Sequence, residues 1–200
     1  GKLEDMSSFS KYVGGSPTNI SIGCSRLGLK SALITKVGNE HMGRFVIEQL
    51  RREGVNVSNI KTDKDRLTAL VLLGIKSQDQ FPLIFFRENC ADMALCEDDI
   101  EEDFIKISKS VLVTGTHFST KTVSDASFKA MKIAKKFNKE VILDIDYRPN
   151  LWEMGKHNEG ESRFKENLSV TNHIQNILSY CTLIVGTEEE WNMARGQKDT

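Results

Sequence analysis

From about residue 110 onward, short apolar runs alternate with amphipathic stretches of helical length, and this alternation constrains the fold more than any other feature of the chain. The runs at 111–114 (VLVT), 141–145 (VILDI) and 183–185 (LIV) are too short for helices and rich in β-branched residues. Between the first two, Val123, Ala126, Ala130, Ile133, Ala134 and Phe137 recur at three- and four-residue spacing, which marks one face of a helix over 122–138. A second helix is expected over 162–179, and a third begins at 188–194. Strand, helix, strand, repeated, means parallel strands, because successive parallel strands need a crossover that a helix supplies. The expected fold class is therefore α/β, a parallel sheet flanked by helices.

The first half begins in the same way and then departs from it. Residues 31–37 (SALITKV) read as a buried strand and 40–53 as a helix, with Gly54 as its stop. From about 57 to 90 there is strand pattern and no helix pattern. The runs at 69–75 and 83–86, with Gln80 and Pro82 in the turn between them, suggest a hairpin, so 57–90 is expected to form an antiparallel excursion from the main sheet. The 200 residues suit one domain, and no linker divides them.

Composition removes several function classes. With 27 basic and 28 acidic residues the net charge is −1, which gives no pull toward nucleic acid or an anionic membrane. No apolar run reaches the 18 or so residues of a membrane span. Cys24, Cys90, Cys96 and Cys181 form no C-x-x-C pair and have no histidine at zinc-ligand spacing, so reduced thiols in a cytoplasmic protein are expected. A P-loop is absent: in GCSRLGLKS, Leu29 separates Gly28 from Lys30, and the segment ends a helix instead of starting one.

Four short segments carry candidate chemistry. In VGGSPTN (13–19), two glycines allow close approach of backbone to a ligand. Ser16 is a good N-cap, Pro17 fits the first helical position, and Asn19 would face outward from the first turn. A capped helix after a tight turn explains the same residues. Arg87 follows Phe85 and Phe86 at a strand end. It is either surface decoration or a two-point grip on a carboxylate or phosphate. DIDYRPNLW (144–152) follows a buried strand, where ligands bind in open α/β sheets. Asp144, Asp146 and Arg148 alternate there with Ile145 and Tyr147, and Pro149 keeps Arg148 out of a helix. In VGTEEEW (185–191), Thr187 and Glu190 fit a capping box; the rival reading is an acidic cluster that organises Mg²⁺.

Taken in order, GG…N, a hairpin, an arginine after aromatics, D-x-D-x-R and T-x-x-E resemble the ribokinase-like (PfkB) carbohydrate kinases over nearly the whole chain. The long stretches GGSPTNISIGCSRLGLKSALITKVGNEHMGRF, FPLIFFRENCADMAL and DIDYRPNLW are most similar to the subgroup that phosphorylates 5-dehydro-2-deoxy-D-gluconate in myo-inositol breakdown. The resemblance implies an incomplete ribokinase-like core over residues 1–200 plus a small antiparallel β lid, with lid segments at about 7–15 and 57–90. It implies ATP and Mg²⁺, a small sugar acid as partner, and a homodimer through the lid. Relatives acting on 2-keto-3-deoxygluconate or fructose are the alternative, as is a non-catalytic remnant that only binds a sugar. Residue by residue, it implies Gly15, Asn19, Arg87 and Arg148 for the substrate. Asp146, Tyr147, Arg148 and Thr187 fall to the nucleotide phosphates, and Glu190 to the metal. Asp146 and Thr187 stand where the family usually has Asn, which puts their phosphate contacts in question. The family's first strand, with a substrate-binding Asp, is expected before Gly1. Its G-A-G-D loop, with the catalytic base, is expected beyond Thr200, so this chain alone is expected to hold no catalytic residue and to be inert.

Overall fold

The structure, a computed structural model, describes residues 3–75, 83–152 and 167–196. The chain divides into two compact units, Gly1–Leu95 and Cys96–Thr200.

In the first unit, helix α1 (Ser16–Arg26) is followed by strand β1 (Thr35–Gly38), helix α2 (His41–Arg52) and strand β2 (Ile60–Asp63). β2 pairs with β1 in parallel register, Thr35 opposite Ile60 and Gly38 opposite Asp63. This corrects the expectation that all of 57–90 would be antiparallel. The segment that contains β2 follows a helix, and a strand–helix–strand crossover returns the chain parallel. The first strand is also shorter than 31–37; its N-terminal part contributes only a bridge between Ala32 and Asn56. α2 ends as its sequence dictates. Gly54 takes a left-handed φ of 78°, its N–H reaches the Arg51 carbonyl, and the Val55 N–H reaches Leu50. Leu50 and Val55 then enter the core with Leu33, Val37 and Ile60. Strands β3 (Leu70–Leu73) and β4 (Leu83–Phe86) form an antiparallel ladder with Leu70 opposite Phe86. The expected turn at Gln80 and Pro82 lies outside the described residues. Residues 7–15, expected as a lid segment, carry neither helix nor strand.

Two glycines lock β1 to α2. A Cβ on Gly43 would lie 1.9 Å from the Gly38 carbonyl oxygen, and one on Gly38 would lie 2.7 Å from that of Arg66. Glu40 caps α2 through the Gly43 N–H at 3.0 Å, and it also accepts the Thr68 hydroxyl. Burial alone would raise the Glu40 carboxyl, but bonds from Thr68, Met42 and Gly43 outweigh it and hold the group below its ordinary range.

The second unit is built from helix α3 (Glu102–Lys106), strand β5 (Ser110–Thr114), helix α4 (Lys121–Lys136), strand β6 (Glu140–Asp144), helix α5 (Leu168–Leu178), strand β7 (Leu183–Val185) and helix α6 (Glu188–Arg195). The three strands lie in the order β5-β6-β7, all parallel. α4 buries most of the expected stripe, Val123, Ala126, Ala130, Ile133 and Ala134, with Phe137 half-buried just past its end, and packs on β5 and β6. Asn138, at φ 52°, ends it, with the Lys139 N–H donating to the Ala134 carbonyl. The N-terminal part of the helix expected over 162–179 falls outside the described residues; α5 as described begins at Leu168. Among the described residues no helix is long and apolar enough to cross a membrane.

Candidate active site

In the second unit the carboxyl ends of the three parallel strands come together, because parallel strands in register must end on one side. The ends of β5 and β7 are held by close contact with Ile145. A Cβ on Gly115, just past β5, would lie 1.8 Å from the Ile145 carbonyl oxygen, and one on Gly186, just past β7, would lie 2.8 Å from Ile145 Cδ1. The Ile145 N–H donates to the Val185 carbonyl at 2.8 Å. Ile145 is thus wedged between two strand-end glycines, and the segment that follows it, Asp146–Tyr147–Arg148, leaves the sheet from a fixed point.

Glu190 fastens that segment a second time. Its side chain is only 4% exposed. Oε1 accepts the Tyr147 N–H at 3.1 Å and Oε2 the Thr187 N–H at 2.8 Å, while the Glu190 N–H donates to Thr187 Oγ1 at 3.3 Å. The last two bonds are the capping box expected from the sequence. The first is an addition: a residue of α6 holds the loop after β6. The Tyr147 ring is 1% exposed, and burial pushes its phenol up to about 12. Tyr147 therefore packs the core, and its backbone N–H is what meets Glu190. Thr187 is exposed at the start of α6.

Asp146 adopts a left-handed φ of 31°, a region Asn and Asp tolerate better than other non-glycine residues. Its Oδ1 accepts from Arg148 Nε at 3.0 Å, with the two side chains 12% and 28% exposed. Arg148 is thereby oriented by a carboxylate two residues before it, in a place partly removed from water.

The first unit carries the other expected residues. The N-cap of α1 is Gly15, at φ 93°, and Ser16 is the first helical residue. The N-cap expected at Ser16 thus moves back by one, because only glycine takes that φ without strain. The turn is closed by the Thr18 hydroxyl, which donates to the Gly14 and Gly15 carbonyls. A Cβ on Gly14 would meet nothing within 4 Å, so the backbone there is open to approach. Asn19 is exposed one turn in, and its carboxamide has no hydrogen-bond partner among the described residues. Arg87, immediately after β4, donates from Nε to Asp92 Oδ2 at 2.6 Å.

Three residues that matter here were missed by the sequence reasoning. Gly115 and Gly186 each directly follow an apolar strand run, V-T-G and I-V-G, and that position was the available signal. Asp92 had none beyond its nearness to Arg87, since no spacing rule links a strand-end arginine to an acid five residues on. Among the described residues no cluster of three or more histidine, cysteine or carboxylate side chains is placed to hold a metal ion.

The whole chain, residues 1–200, matches the pfkB family carbohydrate kinase profile. It is 36% identical over 192 residues to 5-dehydro-2-deoxygluconokinase of Geobacillus kaustophilus, an alignment covering 96% of this chain and 54% of that protein. A Bacillus cereus 5-dehydro-2-deoxygluconokinase 1 shows the same identity and coverage. The chain thus spans about half the length of these relatives. Among solved structures, an uncharacterized sugar kinase from Pyrococcus horikoshii in complex with ATP superposes with a TM-score of 0.84 at 25% identity, over 99% of this chain and 62% of that one. A PfkB protein from Polaromonas gives a TM-score of 0.86 at 25% identity, over 100% and 64%. With strand ends pinned as in an open α/β sheet and a family match that runs from first residue to last, the chain belongs to the pfkB family of carbohydrate kinases.

Proposed function

We propose that the protein transfers the γ-phosphoryl group of ATP to a hydroxyl of 5-dehydro-2-deoxy-D-gluconate in the cytoplasm. The observation that carries this is the 36% identity across 96% of the chain to kinases of that name. The chain's own residues supply a rationale. A sugar acid brings a carboxylate, and Arg87 and Arg148 are both partly dry arginines, each anchored through Nε to an aspartate. A guanidinium in such a setting grips a carboxylate or phosphate at two points, which lysine cannot reproduce. Gly15 and Asn19 would receive the sugar, with the open Gly14–Gly15 backbone allowing close approach. Asp146, Arg148 and Thr187 would face the nucleotide phosphates, and the Tyr147 backbone would hold that loop in place.

Glu190 would reach Mg²⁺ through bridging water. Each oxygen of Glu190 accepts one backbone N–H, and a carboxylate has further lone-pair sites. When bound, the ion neutralises charge on the transferring phosphoryl group. The β3–β4 ladder, with Leu70, Leu73 and Phe86 exposed, is proposed as the lid and as the face through which two copies pair.

The test is steady-state phosphorylation by the full-length protein with ATP and, in parallel, 5-dehydro-2-deoxy-D-gluconate, 2-keto-3-deoxygluconate and fructose. The first should give the highest kcat/KM. A preference for fructose would move the assignment to a neutral-sugar kinase, and no transfer to any of the three would sink it.

A further inference from the structure

We propose that Asp92 is a positioning residue: it holds the Arg87 guanidinium by Nε, so that the opposite Nη edge is presented to an anionic group of the ligand. This rests on the reading of Arg87 as a substrate residue, and it adds a residue to that site. Arg87 Nε lies 2.6 Å from Asp92 Oδ2, and the side chains are only 14% and 17% exposed. Neither Nη atom of Arg87 has a partner among the described residues, although neither is fully buried. Asp92 Oδ1, in contrast, is buried and receives no donor among the described residues.

These facts decide how the pair behaves. An exposed arginine–carboxylate pair exchanges partners easily and fixes little. Here the carboxylate has one partner among the described residues and one buried oxygen, so if Arg87 swung away it would leave a largely buried charge uncompensated, which is unfavourable. The guanidinium is therefore confined by Nε, and its rigid fork offers the remaining donors in one direction. The surrounding chain supports the same geometry. Asp92 lies in the 3-10 turn Ala91–Ala94, which packs on β1, and the Cys90 N–H donates to the Arg87 carbonyl at 3.2 Å. The two ends of the pair are thus fixed to each other by backbone as well as by charge. The second unit uses the same device, with Asp146 holding Arg148 through Nε.

Two measurements test this separately from the substrate reading. The first is NMR of the Arg87 Nε–H in the 200-residue chain. Asp92→Ala should speed its exchange with solvent by tenfold or more, and Asp92→Asn, which keeps shape and one acceptor, should fall between. An unchanged exchange rate in Asp92→Ala would overturn the positioning role. The second is kinetics on the full-length protein. Asp92→Asn should raise KM for the sugar acid by about tenfold, the worth of one charge-assisted hydrogen bond. It should leave kcat within about twofold and spare neutral sugars, and it should add nothing in an Arg87→Ala background. If Arg87→Ala raises KM for the acid but Asp92→Asn and Asp92→Ala do not, the proposal fails. If Arg87→Ala itself leaves that KM unchanged, the carboxylate assignment of Arg87 falls instead, and the exchange rate alone still decides whether Asp92 holds it.

Discussion

Replacing Glu190 by glutamine probes the fastening of the second unit's loop most directly. The carboxylate is almost fully buried, and each oxygen accepts a backbone N–H, Tyr147 at 3.1 Å and Thr187 at 2.8 Å. Glutamine preserves the shape but offers one oxygen and turns the other position into a donor. One of the two amides then faces a donor. A hydrogen bond to a charged group contributes about 1.5–3 kcal/mol, and a buried donor left without a partner costs about 1–3 kcal/mol. Glu190→Gln should therefore destabilise by about 2–3 kcal/mol, and Glu190→Ala, which removes both acceptors and half the capping box, by about 4 kcal/mol. Urea unfolding of the 200-residue chain reads this as a shift in midpoint at constant slope. Amide hydrogen exchange locates it: one of the Tyr147 and Thr187 amides should lose protection in the glutamine variant and both in the alanine variant, with the β1–β2 amides of the other unit unchanged. If the glutamine variant lies within about 0.5 kcal/mol of the parent and both amides keep their protection, Glu190 does not fasten the loop and the reasoning is refuted.

Gly43→Ala should cost more than about 3 kcal/mol, because the new Cβ would lie 1.9 Å from the Gly38 carbonyl oxygen, a backbone atom that cannot move aside cheaply; a urea midpoint within error of the parent would contradict this. Gly115→Ala pushes on the Ile145 carbonyl from 1.8 Å and should lower kcat/KM of the full-length protein by about tenfold or more through the displaced 146–148 loop, with purified folded protein as the control. His173 gives a pH test. It packs against Phe118, Phe128 and Trp152, its Nε2 is buried without a partner among the described residues, and burial lowers its pKa from the ordinary value of about 6.5. The folded state favours the neutral ring, so the stability it contributes is present above about pH 6.5 and is lost as pH falls from there through the lower folded value. His173→Phe should thus lose less Tm than the parent between pH 7.5 and 5.5; equal losses would mean the ring is not held neutral.

Periodicity carried most of the second unit. The strands at 110–114, 140–144 and 183–185, the α4 stripe and the Thr187–Glu190 box were all legible, since each is set by residues close in sequence. What escaped was long-range. The Tyr147–Glu190 bond joins residues 43 apart, and the function of Gly115 appears only when the Ile145 carbonyl is brought against it. In the first unit the parallel pairing of β2 was misread because Ile60–Asp63 is a short strand with a polar half, and its partner is fixed by the helix before it and not by its own pattern. The N-cap of α1 moved by one for a local reason: a serine cap and a glycine cap predict nearly the same helix, and the 93° φ decided between them.

One device recurs in both units and bears on how such a chain handles anions. An arginine aimed at an anion must stay charged and oriented without being neutralised by its own support. A two-point clamp by a protein carboxylate would fix the guanidinium but use up much of its fork; with no support it would wander over many rotamers, and ordering it on binding would cost affinity. Anchoring through Nε to a carboxylate oxygen, as in Arg87–Asp92 and Arg148–Asp146, lies between these extremes. The supporting acid comes from the same short segment in each case, five residues after one arginine and two before the other, so folding of that segment alone sets the pair. The same geometry constrains substitution. Lysine at either position would keep the charge and lose both the Nε anchor and the planar fork, so exchange of arginine for lysine at residues 87 and 148 should be as damaging to grip on an acid as removing the supporting aspartate.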